Sequence, residues 1–236
     1  MPKIAYPVIS GPLRGAKFVL GALAGEGGGA SVYFNAVEPQ HTSSFLKTLN
    51  TGQVFIDIGA NVGYYTVLGS RLVGNNGLVI AIEPSIRNIH YLYRHVVLNK
   101  AQNVIIISAA VADELSVATF SPGVNYAEGH LSSECCQLEV NSGNRATVAP
   151  TVTLDAVVGK LGVIPDVIKI DVEGSEYLVL QGAYSTLIRA KPILFLSVHS
   201  EVLRIKCVSY LLDIGYSVEA LSQDKINPTE YLARCK

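Results

Sequence analysis

Five short, predominantly apolar runs rich in β-branched residues punctuate the chain: Val54 to Ile58, Leu78 to Ile82, Val104 to Ile107, Val167 to Ile170 and Ile193 to Val198. Each has the length of a strand, and only an isolated polar residue interrupts any of them, so each is expected to be buried on both faces. The intervals between the first three and between the last two carry helical periodicity, clearest at Ile86, Ile89, Leu92, Tyr93, Val96 and Val97. A helix is also expected from Glu38-Pro39 to about Leu49, with proline in its first turn, and another from Ser175 to about Arg189. Strands alternating with helices predict an α/β fold with a largely parallel sheet and helices on both faces. Tyr216 to Leu221 and Tyr231 to Arg234 lack a helix between them and predict an antiparallel C-terminal edge.

The flanking and middle regions read differently. Residues 1–37 hold short β-like pieces, Lys17 to Leu20 and Ser31 to Phe34, separated by glycine-rich turns such as Gly25-Glu26-Gly27-Gly28-Gly29. They are expected to form a β-rich extension or lid, too short for a core of its own, ahead of a single domain over residues 38–236. β-rich segments are also expected at Ser116 to Phe120 and Thr147 to Val152. Between them Ser121 to Asn144 is the expected substrate loop, since long loops in compact domains commonly carry function.

Composition narrows the classes. With 49% hydrophobic and 16% charged residues over 236 positions, the chain is no disordered or solvating polypeptide. A net charge of −1 gives no phosphate-neutralising excess, so no general nucleic-acid binding is expected. The longest apolar runs fall far short of the ~20 residues of a membrane span, and the start has no long apolar signal core; a cytoplasmic protein is expected. Cys135, Cys136, Cys207 and Cys235 contain no CxxC pair, which speaks for reduced thiols and against a structural metal.

Chemistry collects where the strands end, the ligand-binding rim of parallel α/β sheets. The first strand runs into Asp57-Ile58-Gly59-Ala60-Asn61-Val62-Gly63, a strand–glycine turn–helix corner lacking the glycine spacing of a dinucleotide site. An acid at that tip repels a pyrophosphate and suits a ligand bearing an amine, which favours S-adenosylmethionine over NAD. Asp57 is expected to meet that amine or to organise the turn. Gly59 and Gly63 admit close backbone approach, and Asn61 either adopts a left-handed backbone or donates to the ligand. Glu83, at the tip of the second strand, is placed to accept bonds from a ribose diol. Ser108, Ala109 and Ala110, at the third, leave room for adenine.

The fourth strand delivers Asp171 and Glu173 to the reactive end. Lys169 alternates onto the side of Asp171 and either orients it or is only a structural ion pair. His199 closes the fifth strand as a candidate base. His41, His90 and His95 fall on helices and read as surface or packing residues, while His130 lies in the long loop.

Taken together, Phe55 to Thr66, Ile82-Glu83-Pro84-Ser85 with Asn88, Thr153-Leu154-Asp155, and Ile168-Lys169-Ile170-Asp171-Val172-Glu173-Gly174-Ser175-Glu176 resemble the FkbM-type family of S-adenosylmethionine-dependent methyltransferases. The resemblance runs from about residue 35 to 200. It implies a Rossmann-like, seven-stranded class I fold and methyl transfer to a hydroxyl of a small-molecule or sugar-like acceptor. It further implies Asp57, Gly59, Asn61, Gly63 and Glu83 as cofactor ligands, with Asp171 and Glu173 as active-site acids. The chain departs from the family at Ser197, where an acid often stands two residues before the histidine. Asp171 or His199 is then the expected general base for in-line attack. Asp171 and Glu173 holding a divalent cation is a second route. A nicotinamide oxidoreductase or a degenerate binding subunit would share the fold, and a homodimer through an edge strand or the N-terminal ribbon fits the pattern.

Overall fold

The computed structural model describes residues 4–19, 21–22, 29–34, 37–122, 129–132, 147–221 and 229–235. A short hairpin opens the chain, β1 (Ala5–Pro7) pairing antiparallel with β2 (Lys17–Val19), followed by α1 (Ala30–Tyr33) and α2 (Pro39–Thr48). Then come β3 (Val54–Ile58), α3 (Tyr64–Val73), β4 (Leu78–Ile82), α4 (Ile86–Leu98) and β5 (Val104–Ile107). A second sheet is built from β6 (Ala110–Val111), β7 (Ser116–Pro122), β8 (Gly129–Ser132) and β9 (Thr147–Val152). The chain closes with α5 (Leu154–Leu161), β10 (Val167–Ile170), α6 (Glu176–Gln181), α7 (Tyr184–Ala190), β11 (Ile193–Ser197), α8 (Glu201–Asp213), β12 (Tyr216–Ala220) and β13 (Glu230–Cys235).

The main sheet has seven strands in the order β12-β13-β11-β10-β3-β4-β5. β13 runs antiparallel to both its neighbours and the other pairs are parallel, so the reversed strand lies one place in from the rim. Alternate residues explain the unbroken apolar runs. Ile56, Ile58, Ile168, Ile170, Leu194 and Leu196 point to a core shared with α5, α6, α7 and α8. Phe55, Val79, Val167, Phe195 and Leu232 point to the opposite core, where Phe45 of α2 and Leu68 of α3 cover them. Serine and threonine caps start the helices: Ser85, Thr153 and Ser200 each accept from the backbone N–H three residues on.

Three local expectations are corrected. Ser31 to Phe34 holds one turn of helix rather than a strand; Gly29, at φ 80°, starts it and buried Val32 and Tyr33 hold it, so packing overrides β-propensity. The helix expected to run from Ser175 to Arg189 breaks at Gly182-Ala183 into α6 and α7. There the chain passes so close to β6 that a Cβ on Gly182 would lie 2.0 Å from the Ala112 carbonyl. Val104 to Ile107 forms the sheet edge and is not fully buried, Ile105 being 37% exposed.

The N-terminal hairpin is fastened to α4. Asn99 exchanges two hydrogen bonds with Lys17 (2.8 and 2.9 Å), and His95 accepts from Val19 N–H at 2.9 Å. Phe18, Leu13 and Val8 pack into the core beneath α2 and α3. Of the Ser121 to Asn144 excursion, only its first two residues and β8 fall among the described residues; Cys135 and Cys136 lie outside them. Among the described residues no helix is long and apolar enough to cross a membrane.

Candidate active site

The glycine corner after β3 is a network of close approaches. Gly59 has φ 77°, and a Cβ there would lie 1.8 Å from the Asp171 carbonyl oxygen, so the turns after β3 and β10 fit only around a glycine. Asn61 has φ 51°, the left-handed alternative of the two read from sequence, and it directs its backbone N–H to Glu83 Oε2 at 2.8 Å. Gly63 starts α3 at φ 92° and lets that helix approach Leu92 of α4.

Asp57 itself turns away from this corner. It is 1% exposed, accepts a 2.6 Å bond from Thr66 Oγ1, and lies beside Lys169 in the β3–β10 register. Burial pushes its carboxyl up, and Lys169 and Thr66 pull in the other direction. Its side chain therefore meets Thr66 of α3 and the Lys169 position of β10, and it does not line the cavity beside the turn.

A cavity opens at the carboxyl ends of β3, β4 and β10. It is lined by Gly59 and Asn61 after β3, Glu83 and Asn88 after β4, the small apolar Ala109 and Ala110 after β5, and Asp171 to Glu173 after β10, and the strand order β10-β3-β4-β5 sets Glu83 and Asp171 on opposite sides of the glycine turn. Glu83 is 4% exposed and its two oxygens receive Asn61 N–H, Ser85 N–H (2.9 Å) and Asn88 Nδ2 (3.3 Å). Burial raises its pKa against those donors. A carboxylate offers about four acceptor directions, so one remains for a hydroxyl donor from the cavity. Ser108 is exposed and does not line this cavity.

At the far end, Lys169 is 2% exposed and its Nζ sits 2.7 Å from Asp171 Oδ2, over the Tyr65 ring at 4.9 Å. Burial works against its charge, yet Asp171, Glu38 and Asp57 outweigh it and raise its pKa. Burial likewise works against the Asp171 charge, and Lys169, with smaller help from His199 and His41, holds that carboxyl below its ordinary value. His199 brings Nδ1 within 2.7 Å of Glu176 Oε1, and Nε2 within 3.2 Å of Glu173 Oε2 and 3.6 Å of Asp171 Oδ1. Burial disfavours its proton, but the Glu176 bond and the three carboxylates win, pushing the imidazole up to about 9. His199 is therefore an imidazolium at neutral pH.

Several residues around this end escaped the sequence reading. Glu176, 0% exposed, is the acid partner of His199, supplied by the following helix and not by the strand position that Ser197 occupies. Of the two readings given for His41, packing is the one observed, 1% exposed and stacked on Phe195; what the sequence did not indicate is its 2.7 Å bond to Glu230 Oε2, an oxygen to which Ser197 Oγ also donates. Tyr65 donates to Glu38 at 2.8 Å. His95 is wholly buried between Val19 N–H and the Val62 carbonyl, and His90 is exposed. The placement of the His130 side chain lies outside the described residues. Only Glu176 had a signal in the sequence, its place inside the Asp171-Val172-Glu173-Gly174-Ser175-Glu176 run.

Among the described residues, two groups bring three ligand-type atoms within 4.8 Å: Glu38, His41 and Glu230, and Asp171, Glu173 and His199. In each, a histidine nitrogen already lies against the carboxylates. The cavity offers an acid with one acceptor direction left for a sugar hydroxyl, a small apolar wall for a flat base, and acids for a cationic end. Those features fit a nucleoside carrying an amino acid and a sulfonium.

Comparisons agree with this geometry. Residues 57–217 match the methyltransferase FkbM domain. Comparison with curated proteins returns no match. Among solved structures, an FkbM methyltransferase from Methylobacillus flagellatus superposes with a TM-score of 0.54 at 18% identity, over 77% of this chain and 43% of its own length. A precorrin-6y C5,15-methyltransferase from Geobacter metallireducens gives 0.54 at 16%, over 84% and 88%. A Streptococcus mutans protein solved in complex with SAH (S-adenosylhomocysteine) gives 0.51 at 11%, over 83% and 94%. This chain thus spans less than half of the Methylobacillus protein, and at these identities the structures establish a shared class I, Rossmann-like fold. With the domain match covering the glycine corner, Glu83 and the Asp171–Glu176 run, the chain belongs to the FkbM methyltransferase family.

Proposed function

We propose that the chain is an S-adenosylmethionine-dependent O-methyltransferase acting on a hydroxyl of a small-molecule or sugar-like acceptor. One observation carries the reading: a single cavity is lined by Glu83, by Ala109 and Ala110, and by Asp171 with Glu173, with Glu83 and Asp171 on opposite sides of the glycine turn. Glu83, with one acceptor direction left, would take one hydroxyl of the ribose diol, Gly59 and Asn61 would lie beneath the cofactor, and the amine would lie towards the acids. When bound, the cofactor supplies an electrophilic methyl on a positively charged sulfur.

The chain's own residues supply orientation and proton handling. His199, already an imidazolium near neutral pH, has no lone pair with which to take a hydroxyl proton. Asp171 is the better candidate base. Its Oδ2 is tied to Lys169, and its Oδ1 has no hydrogen bond among the described residues. A carboxylate held below its ordinary pKa is a weak base. Its contribution is to align the acceptor hydroxyl and receive its proton as oxygen gains positive charge during attack. Alignment of two reactants can lower a barrier by roughly 7–11 kcal/mol, the larger share of what this site would supply.

The test is calorimetric titration with S-adenosylhomocysteine and with NADH, followed by a labelled-methyl screen against pools of hydroxyl acceptors. Binding of S-adenosylhomocysteine with none of NADH is expected. The reverse would replace methyl transfer with hydride transfer, and binding without turnover across every pool would support a degenerate binding subunit.

A further inference from the structure

We propose that Glu176 is a positioning residue of this site: one oxygen of its buried carboxylate ties the turn bearing Asp171 and Glu173 to the ring of His199. The inference rests on the methyl-transfer reading above for its purpose, and on geometry for its substance. Glu176 Oε1 accepts twice, from Gly174 N–H at 3.0 Å and from His199 Nδ1 at 2.7 Å. The turn it holds is a tense one, Glu173 at φ 50° and Gly174 at φ 103°, and a left-handed glutamate persists only where its surroundings enforce it.

Fixing Nδ1 also fixes where the other ring nitrogen points. Nε2 lies between Glu173 Oε2 and Asp171 Oδ1, so one ring spans both acids that line the cavity. Glu176 does not line that cavity, which separates its role from cofactor contact. Its second oxygen, Oε2, is buried with no hydrogen-bond partner among the described residues. A half-satisfied buried carboxylate opposes folding, so its place in the core is accounted for by what Oε1 holds. The groups facing the ring are Asp171 and Glu173 from the turn after β10 and Glu176 from α6. On α8, Glu201 pairs with Arg204, and burial, with the Glu176 charge adding to it, pushes the Cys207 thiol up to about 12. Lys169 is paired with Asp171, one of the acids facing the ring.

The experiment is nitrogen NMR of histidine-labelled protein, wild type and Glu176→Gln, with thermal melting to confirm folding and S-adenosylhomocysteine calorimetry on both. In the wild type the proton remaining on neutral His199 is expected on Nδ1, the less common tautomer, because Glu176 accepts it. In Glu176→Gln the Nδ1–H of His199 loses a charged acceptor, so its proton resonance is expected to move upfield and to exchange faster with water, with cofactor-product affinity retained. A neutral His199 carrying its proton on Nε2 would overturn the proposal without any variant. So would a folded Glu176→Gln protein in which the Nδ1–H resonance neither moves nor exchanges faster. Failure of the wild type to bind S-adenosylhomocysteine would instead strike the methyl-transfer reading and leave this contact standing.

Discussion

Lys169 and Asp171 stand two residues apart on one side of β10 and its continuation, and they close an ion pair of 2.7 Å around a lysine that is almost entirely buried. On the same row of the sheet Asp57 sits beside Lys169, so one ammonium serves an acid behind the glycine corner and an acid at the cavity's reactive end. Replacing it with methionine leaves two carboxylates without their common counter-charge. Breaking a buried pair in this way costs about 3–5 kcal/mol. Lys169→Met is therefore expected to lower stability by that amount in chemical denaturation. A change within experimental error would show that Lys169 does not hold the acids.

Glu83 predicts a binding effect. Its carboxylate gathers Asn61 N–H, Ser85 N–H and Asn88 Nδ2, and glutamine would turn an NH2 toward one of those donors. Hydrogen bonds to a charged group contribute roughly 1.5–3 kcal/mol, tenfold or more in Kd. Glu83→Gln should weaken S-adenosylhomocysteine binding by at least that factor in calorimetry, and undiminished affinity would remove Glu83 from the ribose end.

Two glycines with similar backbones separate strain from crowding. Gly162, at φ 65°, has open space where a Cβ would stand, whereas Gly59, at φ 77°, has the Asp171 carbonyl 1.8 Å away. Gly162→Ala should cost about 1–2 kcal/mol from left-handed strain alone. Gly59→Ala should cost more and abolish S-adenosylhomocysteine binding, because the two turns must part. Equal losses in thermal melts would mean that close approach at Gly59 contributes nothing.

His95 makes the N-terminal hairpin sensitive to acid. Burial keeps its imidazole below the ordinary 6.5, with Nε2 accepting from Val19 N–H and Nδ1 donating to the Val62 carbonyl. The folded protein thus binds fewer protons here than the unfolded one, and stability is lost as pH falls from 6.5 toward the lower folded value. Hydrogen exchange at Val19 should accelerate on acidification through that window, and less so in His95→Gln. An exchange rate flat with pH, once corrected for intrinsic chemistry, would contradict this.

His199 carries the opposite sign. Its pKa is raised to about 9, so its stabilising contribution is complete below 6.5 and disappears as pH rises through 9. Alkaline melts of the wild type should show that loss, and His199→Gln should not. Identical alkaline profiles would place the ring outside the carboxylate cluster.

Sequence by itself determined the strands of the seven-stranded sheet, the glycine corner and the acids at the strand ends. These are local consequences of apolar runs, side-chain alternation and turn-forming residues, all visible within a few positions of one another. It also set Asn61 and Gly63 in their turn and Lys169 on the side of Asp171. Tertiary structure alone decided which groups those residues meet. His41 finds Glu230 across 189 positions and His199 finds Glu176 across 23. Only the insertion of β13 between β11 and β12 brings Glu230 beside Ser197. Asp57 faces Thr66 and Lys169 because the pleat directs it under α3, away from the cavity that its own turn lines. The pattern of a chain fixes which side of a strand a residue occupies; strand order and helix packing fix what lies opposite, and there His199 becomes an imidazolium.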